Sequence, residues 1–339
     1  MAKVKRINLG LQGGGAHGAY TWGVLDRLLE DERIEIAAMS GTSAGAMNGA
    51  ALKAGWVENG REGARARLAW LWERMGAVED MRWPAWMGAG LPTSGLNRTM
   101  ALSVPFAMAD SVSRSVSPYF YGPFYRNPLR PIAEAFEFDK VCAPEGPALF
   151  VCATNVRSGK IRVFPEAEVS TDVLLASACL PTMFQAVEIG GEHYWDGGYT
   201  GNPAIFPLFR EGLPQDVVVI NINPLERSEV PRAAHDIQNR INEISFNSSL
   251  LRELRAISFV QRLLDEGALS SGTMKRVLVH MIADDGLMRD LSVATKMVPV
   301  PELLWKLRDA GRVAADAFLA AHFDDLNERS TIDLAEMFS

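Results

Sequence analysis

Twice within the first 55 residues the chain passes from a short apolar run, through a glycine-rich turn, into a segment with helical spacing. KRINLG at 5–10 reads as a strand and leads into GGGAHG at 13–18. Ala16, Tyr20, Val24 and Leu28 then recur four apart, which predicts a helix over 16–30. IEIAAM at 34–39 reads as a second strand. It runs into GTSAG at 41–45 and a helix of small residues to about Ala54, stopped by Gly55. Parallel strands need a crossover, usually a helix, between them. The repeated order therefore predicts an α/β fold around a largely parallel or mixed sheet.

Further strands are expected at 148–154, 161–164, 216–222 and 277–283, short runs rich in Val and Ile. Helices are expected at 61–75, 170–179, 236–266 and 302–321. The longest carries Ile237, Ile241, Ile244, Leu251, Leu254, Ile257 and Leu264 at spacings of three, four or seven. One face packed on the core explains that stripe, and a homodimer seam is the other reading. Residues 76–131 have no clean period and hold Trp83, Trp86, Phe106, Tyr119, Phe120, Tyr121, Phe124 and Tyr125. They read as an insertion over the sheet: a lid, a lipid-facing surface, or a cap packed by its own aromatics. The domain reading is a core over 1–215 and, over 216–339, the remaining strands with a helical extension of the same domain.

Composition removes several function classes. The 339 residues carry 41 acidic and 34 basic side chains, a net charge of −7. Such a balance gives no electrostatic reason to bind nucleic acid. Cys142, Cys152 and Cys179 make an odd count without CxxC spacing. A disulfide scaffold and a cysteine zinc module are thus excluded, and a reducing, cytoplasmic setting fits. The first residues include no continuous apolar core, so no secretory signal is expected. Residues 7–25 carry no formal charge, but Asn8, Gln12, His17 and six glycines argue against a membrane helix.

Three short motifs can carry chemistry. In GTSAG, Ser43 stands between Gly41 and Gly45, after a strand and before a helix, the setting of a nucleophile elbow. A serine in a tight turn or at a helix N-cap is the alternative. Serine attack on a carbonyl makes an oxyanion, which needs fixed N–H donors about 3 Å away. The amides of Gly13, Gly14 and Gly15 can supply them, with the helix beginning near Gly18 adding its dipole. The same residues match the dinucleotide pattern GxGxxG. That rival requires a carboxylate ending the second strand, and none stands there.

A base is also needed. His280 lies inside an expected strand, and His235 and His322 lie on polar helical stretches, so no imidazole suits a triad. The remaining route is direct proton transfer to a carboxylate. Asp196 in HYWDGGYTGNP, followed by Gly197 and Gly198, is the best candidate. Asp-Gly is also a common hairpin turn, which keeps that reading open.

These three motifs, in this order, resemble those of the patatin-like phospholipase family. ASACLPTMF at 176–184 resembles the family's segment ahead of its DGG motif. The resemblance covers roughly 5–210. It implies a three-layer α/β/α fold around a mixed sheet, Ser43 as nucleophile and Asp196 as base. It further implies a 13–15 oxyanion loop, no metal or cofactor in catalysis, and acyl-ester substrates such as phospholipids, lysophospholipids or neutral lipids. Peripheral membrane contact is read from the aromatic composition of 76–131. Many members have Arg or Lys where this chain has His17, so that side chain's share in charge stabilisation stays open. Polyhydroxyalkanoate or a small ester as substrate, and a silent lipid-binding scaffold, are the rival functions.

Overall fold

The computed structural model describes residues 4–77, 117–227, 229–270, 272–291 and 293–338. The lid expectation for 76–131 therefore lies largely outside the described residues. The core begins with β1 (Lys5–Leu11), paired in parallel with β2 (Ile34–Thr42) on one side and β7 (Asp216–Asn221) on the other. β8 (Leu278–Ala283) extends the sheet in parallel beyond β7. On the other flank, β3 (Ala148–Asn155) pairs in parallel with β2. β4 (Ile161–Pro165), β5 (Val187–Ile189) and β6 (Glu192–Asp196) complete the sheet through antiparallel pairs. The sheet is mixed, with its parallel strands at the centre.

Side chains alternate across each strand, and the two faces bury against different helices. Val218 and Ile220 of β7 join the cluster formed with α1 (Gly18–Glu30), α2 (Ala44–Gly76) and the helix at Pro301–His322. Val217 and Val219 join the opposite cluster, with Leu250, Leu254 and Ile257 of the helix at Ala234–Asp265. The result is a three-layer α/β/α fold. Numbering continues with α3 (Thr171–Ser177), α4 (Ala234–Asp265), α5 (Val293–Met297) and α6 (Pro301–His322); shorter turns are left unlabelled. Among the described residues no helix is long and apolar enough to cross a membrane.

Three expectations need correction. The helix after GTSAG does not stop at Gly55. Gly55 instead lets the chain approach its own later turn, since a Cβ there would lie 2.2 Å from the Gly63 carbonyl. The break comes at Asn59 and Gly60, whose dihedrals leave the helical region, and α2 then resumes to Gly76. Second, β5 and β6 were not expected. They form a hairpin through Gly190 and Gly191, both at positive φ, which matches a tight two-residue turn. Third, the apolar stripe of α4 faces the core only in its second half. Ile237, Ile241 and Ile244 are 43%, 51% and 54% exposed, while Glu243 and Asn247 are buried there. Polar packing against Arg227 and the glycine loop turns that half of the helix over.

The last residues are tied to the sheet by one buried ionisable pair. Asp216 Oδ1 lies 2.9 Å from His280 Nε2, and His280 Nδ1 lies 3.1 Å from Thr331 Oγ1. Asn327 donates from its backbone N–H and its amide to the two Asp216 oxygens. Burial raises the Asp216 carboxyl, but these donors more than offset it and hold it below its ordinary value. Asp216→Ala leaves the buried His280 and the half-buried Asn327 without their acceptor. The expected loss is ~3 kcal/mol of unfolding free energy, read by urea denaturation at pH 7. An unchanged urea midpoint would contradict this account of the pin.

Candidate active site

β3 has two edges, and their occupancy builds the site. β4 takes one edge along residues 150–154. β2 and β6 therefore share the other edge end to end: Thr42 lies opposite Cys152, and Asp196 lies opposite the next residue, Ala153. β2 runs parallel to β3 and β6 antiparallel, so their carboxyl ends meet. Ser43 leaves one end and Asp196 closes the other. Neither segment alone reveals this meeting, because the residues are over 150 positions apart.

The serine turn is held at several points. Ser43 has φ +55° and ψ −122°, a conformation a side chain adopts at a cost of ~1–3 kcal/mol. Its N–H donates to Ser177 Oγ at 2.8 Å, and that hydroxyl donates to Cys152 O at 2.6 Å. Thr42 Oγ1 donates to Gly201 O at 2.6 Å. The chain crosses so close to β1 that a Cβ on Gly45 would stand 2.1 Å from Leu11 O. α2 starts directly after Ser43, and the Ser43 side chain is only partly buried.

Asp196 is 2% exposed. Its N–H donates to Cys179 O at 2.8 Å, and its Oδ1 accepts from Gly198 N–H at 2.7 Å. Burial pushes the carboxyl up to about 7, against the Gly198 amide and a hydrogen bond from the Ser43 side chain, which both favour the charged form. Gly197 has no room for a side chain, since a Cβ would lie 2.3 Å from Cys152 O. At Gly198 a Cβ would strike the Phe246 ring of α4. Tyr199 stacks against Phe246 with ring centres 5.6 Å apart and remains 41% exposed, an apolar wall beside the carboxylate.

The glycine loop lies against the serine turn. A Cβ on Gly13 would come within 2.7 Å of Ser43 Cβ, and one on Gly18 within 2.6 Å of Ala44 Cβ. Gly13 N–H donates to Asn202 Oδ1 at 2.6 Å. The N–H groups of Gly14 and Gly15 have no acceptor among the described residues. Gly41 is needed for a separate reason: a Cβ there would meet the Gly45 carbonyl at 2.6 Å.

The geometry agrees with a comparison of the whole sequence. The patatin-like phospholipase family matches residues 9–209, more than half of the chain. The chain belongs to the patatin-like phospholipase family. No curated protein sequence matches it significantly. Among solved structures, VipD from Legionella pneumophila aligns at 14% identity with a TM-score of 0.43, over 98% of this chain and 72% of that one. The ExoU–SpcU heterodimeric complex from the type III secretion system of Pseudomonas aeruginosa aligns at 16% identity with a TM-score of 0.32. That alignment covers 99% of this chain and 66% of the other.

The described histidines have other neighbours: His193 Nε2 lies 3.9 Å from Glu188 Oε2. His280 is engaged by Asp216, and His322 by Asp325. The side chain of His235 lies outside the described residues. His17 is buried, its Nε2 2.9 Å from Thr295 Oγ1, while its Nδ1 has no partner among the described residues. Burial, and then the charge of Lys296, hold the imidazole well below its ordinary pKa, so it is neutral at pH 7. Among the described residues no cluster of His, Cys, Asp or Glu could hold a metal ion. A crevice of about 540 Å³ between Tyr125, Arg130, Leu175 and Gln185 includes neither Ser43 nor Asp196.

Several supporting residues escaped the sequence reading. Gln12 Oε1 accepts from Ile222 N–H, Asn223 N–H and Asn223 Nδ2, which ties the ends of β1 and β7 together. Asn202 and Asn223 hold Gly13 from two sides. Asn202 sits six residues after Asp196, and Ser177 lies inside the 176–184 segment. Both were within reach of the motif argument. Gln12, Asn223 and Lys296 were not, because only the fold brings them together.

Proposed function

We propose that the chain is a lipid acyl hydrolase working through a Ser43–Asp196 dyad and an acyl-enzyme. One observation carries the reading: the carboxyl ends of β2 and β6 abut on β3, which sets a buried carboxyl beside Ser43, whose side chain hydrogen-bonds to it directly. In its ionised form Asp196 accepts the Ser43 Oγ proton as Oγ attacks the ester carbonyl carbon. The carbonyl oxygen takes the negative charge and receives hydrogen bonds from Gly14 and Gly15 N–H. The intermediate collapses, the C–O bond to the alcohol breaks, and the Asp196 proton goes to the leaving oxygen. Water then attacks the acyl carbon, again losing its proton to Asp196. The fatty acid leaves, and the proton returns to Ser43 Oγ. No metal or cofactor is invoked.

Substrates of the phospholipid or lysophospholipid type follow from family membership. The exposed Tyr119, Phe120 and Tyr199 suit peripheral contact with a lipid surface. Three free cysteines suit a reducing, cytoplasmic setting. The test pairs fluorophosphonate labelling with fatty-acid release from phosphatidylcholine vesicles and with hydrolysis of p-nitrophenyl esters. Labelling at Ser43 with fatty-acid release is expected. Labelling with activity on soluble esters alone would move the substrate to a polyester or small ester. A folded chain that the probe does not label would refute the enzyme reading.

A further inference from the structure

The glycine loop carries no cation of its own, because His17 is buried and neutral. A cation reaches it from a distant part of the chain. α5 lies across the outer side of the loop. A Cβ on Gly15, at φ +58°, would stand 2.2 Å from the backbone oxygen of Lys296, so the two backbones are in contact. The Lys296 ammonium donates to Asn223 Oδ1 at 2.7 Å. The amide of that asparagine donates to Gly13 O at 2.9 Å and to Gln12 Oε1 at 3.0 Å. The neighbouring Thr295 holds His17. α5 thus reaches the loop through its backbone at Gly15 and, through Asn223, at Gly13.

We infer that Lys296 is a positioning residue for ester hydrolysis: its ammonium fixes Asn223, Asn223 fixes the Gly13 carbonyl, and the loop's free amides are thereby kept aimed and biased towards a developing negative charge. The inference rests on the Ser43–Asp196 reading above. The charged groups that act on the ammonium are Glu243 of α4 and Arg227 from the segment after β7, and the ammonium acts in turn on His17. Arg227 and Arg240 hold both Glu243 oxygens, so Glu243 acts on Lys296 through space. Burial, with Arg227 adding and Glu243 opposing, brings the Lys296 ammonium down to about 8. Its charge is therefore lost within the range where an esterase can be assayed. An uncharged amine can still hydrogen-bond Asn223 but no longer favours an oxyanion.

The experiment uses the full chain, p-nitrophenyl butyrate and a pH series from 6 to 10, with kcat and KM separated. Circular dichroism monitors folding, and fluorophosphonate labelling and Ser43→Ala run in parallel. Lys296→Met is expected to lower kcat ~10- to 100-fold with KM within about twofold. Lys296→Arg is expected to restore most of kcat. It is also expected to abolish the fall in activity near pH 8, since guanidinium stays charged. A Lys296→Met enzyme within about threefold of wild type, or a Lys296→Arg enzyme that keeps the same alkaline fall, overturns the inference. If Lys296→Met does not fold, the alkaline limb of Lys296→Arg decides alone. Hydrolysis that survives Ser43→Ala overturns the dyad reading and this inference with it. A labelled, Ser43-dependent enzyme with unaltered Lys296 variants overturns the inference only.

Discussion

Ser43→Gly is expected to abolish ester hydrolysis and to raise stability in the same molecule. Loss of the nucleophile in a serine hydrolase costs ~10⁴- to 10⁶-fold in kcat. The backbone supplies the other half of the prediction. At φ +55° and ψ −122° a side chain costs ~1–3 kcal/mol, and glycine relieves it. Glycine gives back ~0.5–1 kcal/mol through its greater freedom when unfolded, so the net gain is about 1 kcal/mol. Ser43→Ala keeps the strain, and should be as inactive without being more stable. Urea unfolding of the three proteins separates the terms. A glycine variant less stable than the alanine one by about 0.5–1 kcal/mol would mean that the elbow stores no strain. Residual hydrolysis above about 1% in either would mean that Ser43 is not the nucleophile.

Local signals were legible where they were short-ranged. The order strand, glycine turn, helix at 5–30 and again from 34 needed no knowledge of the rest of the chain, and both units form, the second helix running past Gly55. Ser43 and the glycine loop were legible because a sharp turn and a close backbone approach each demand small residues at fixed offsets. Asp196 was ambiguous for a physical reason. Asp-Gly reads as a turn, and the real turn of that hairpin is Gly190–Gly191. β5 has only three residues and β6 lacks clean alternation, so neither announces itself. The apolar stripe of α4 misled in the opposite way. Ile237, Ile241 and Ile244 have ideal helical spacing, yet Glu243 and Asn247 are the buried residues there. Periodicity reports which residues share a face, and a polar network can still claim the inward one.

The same division explains why the site's supports were invisible. Gln12, Asn223, Asn247 and Lys296 are individually ordinary polar residues. Each is buried or half-buried against the loop because β1 and β7 end side by side and α4 and α5 close over them. A buried asparagine or glutamine must satisfy both ends of its amide, which fixes the carbonyl and N–H directions around it. Here those directions take Gly13 N–H out of use and leave Gly14 and Gly15 N–H free. The difference between three adjacent glycine amides is thus set by residues far along the chain, Asn202 among them.

Asp196→Asn is expected to lower kcat/KM ~10³-fold or more while stabilising the chain at neutral and alkaline pH. The activity loss follows from removing the proton acceptor, since an amide cannot take the Ser43 proton. The stability gain follows from linkage. The Asp196 carboxyl lies near 7 when folded and near its ordinary value when unfolded. Below about pH 4 both states are protonated, and burial of the neutral acid carries no charge penalty. Between about 4 and 7 the unfolded chain releases the proton while the folded chain keeps it, so stability falls as pH rises. Above about 7 both forms are ionised and the loss is constant, on the order of a few kcal/mol. Asparagine keeps the acceptor for Gly198 N–H and never ionises, so its advantage over wild type should be absent at pH 4 and full by pH 8. Glu253, also raised to about 7, titrates in the same range in both proteins and cancels in their difference. Wild-type hydrolysis should rise through about pH 7 as the base ionises. Urea unfolding of both proteins at pH 4, 6 and 8 tests the argument. Parallel stability curves would show that the Asp196 carboxyl is not raised, and a base with an ordinary pKa would then remove the rise in hydrolysis between pH 6 and 7.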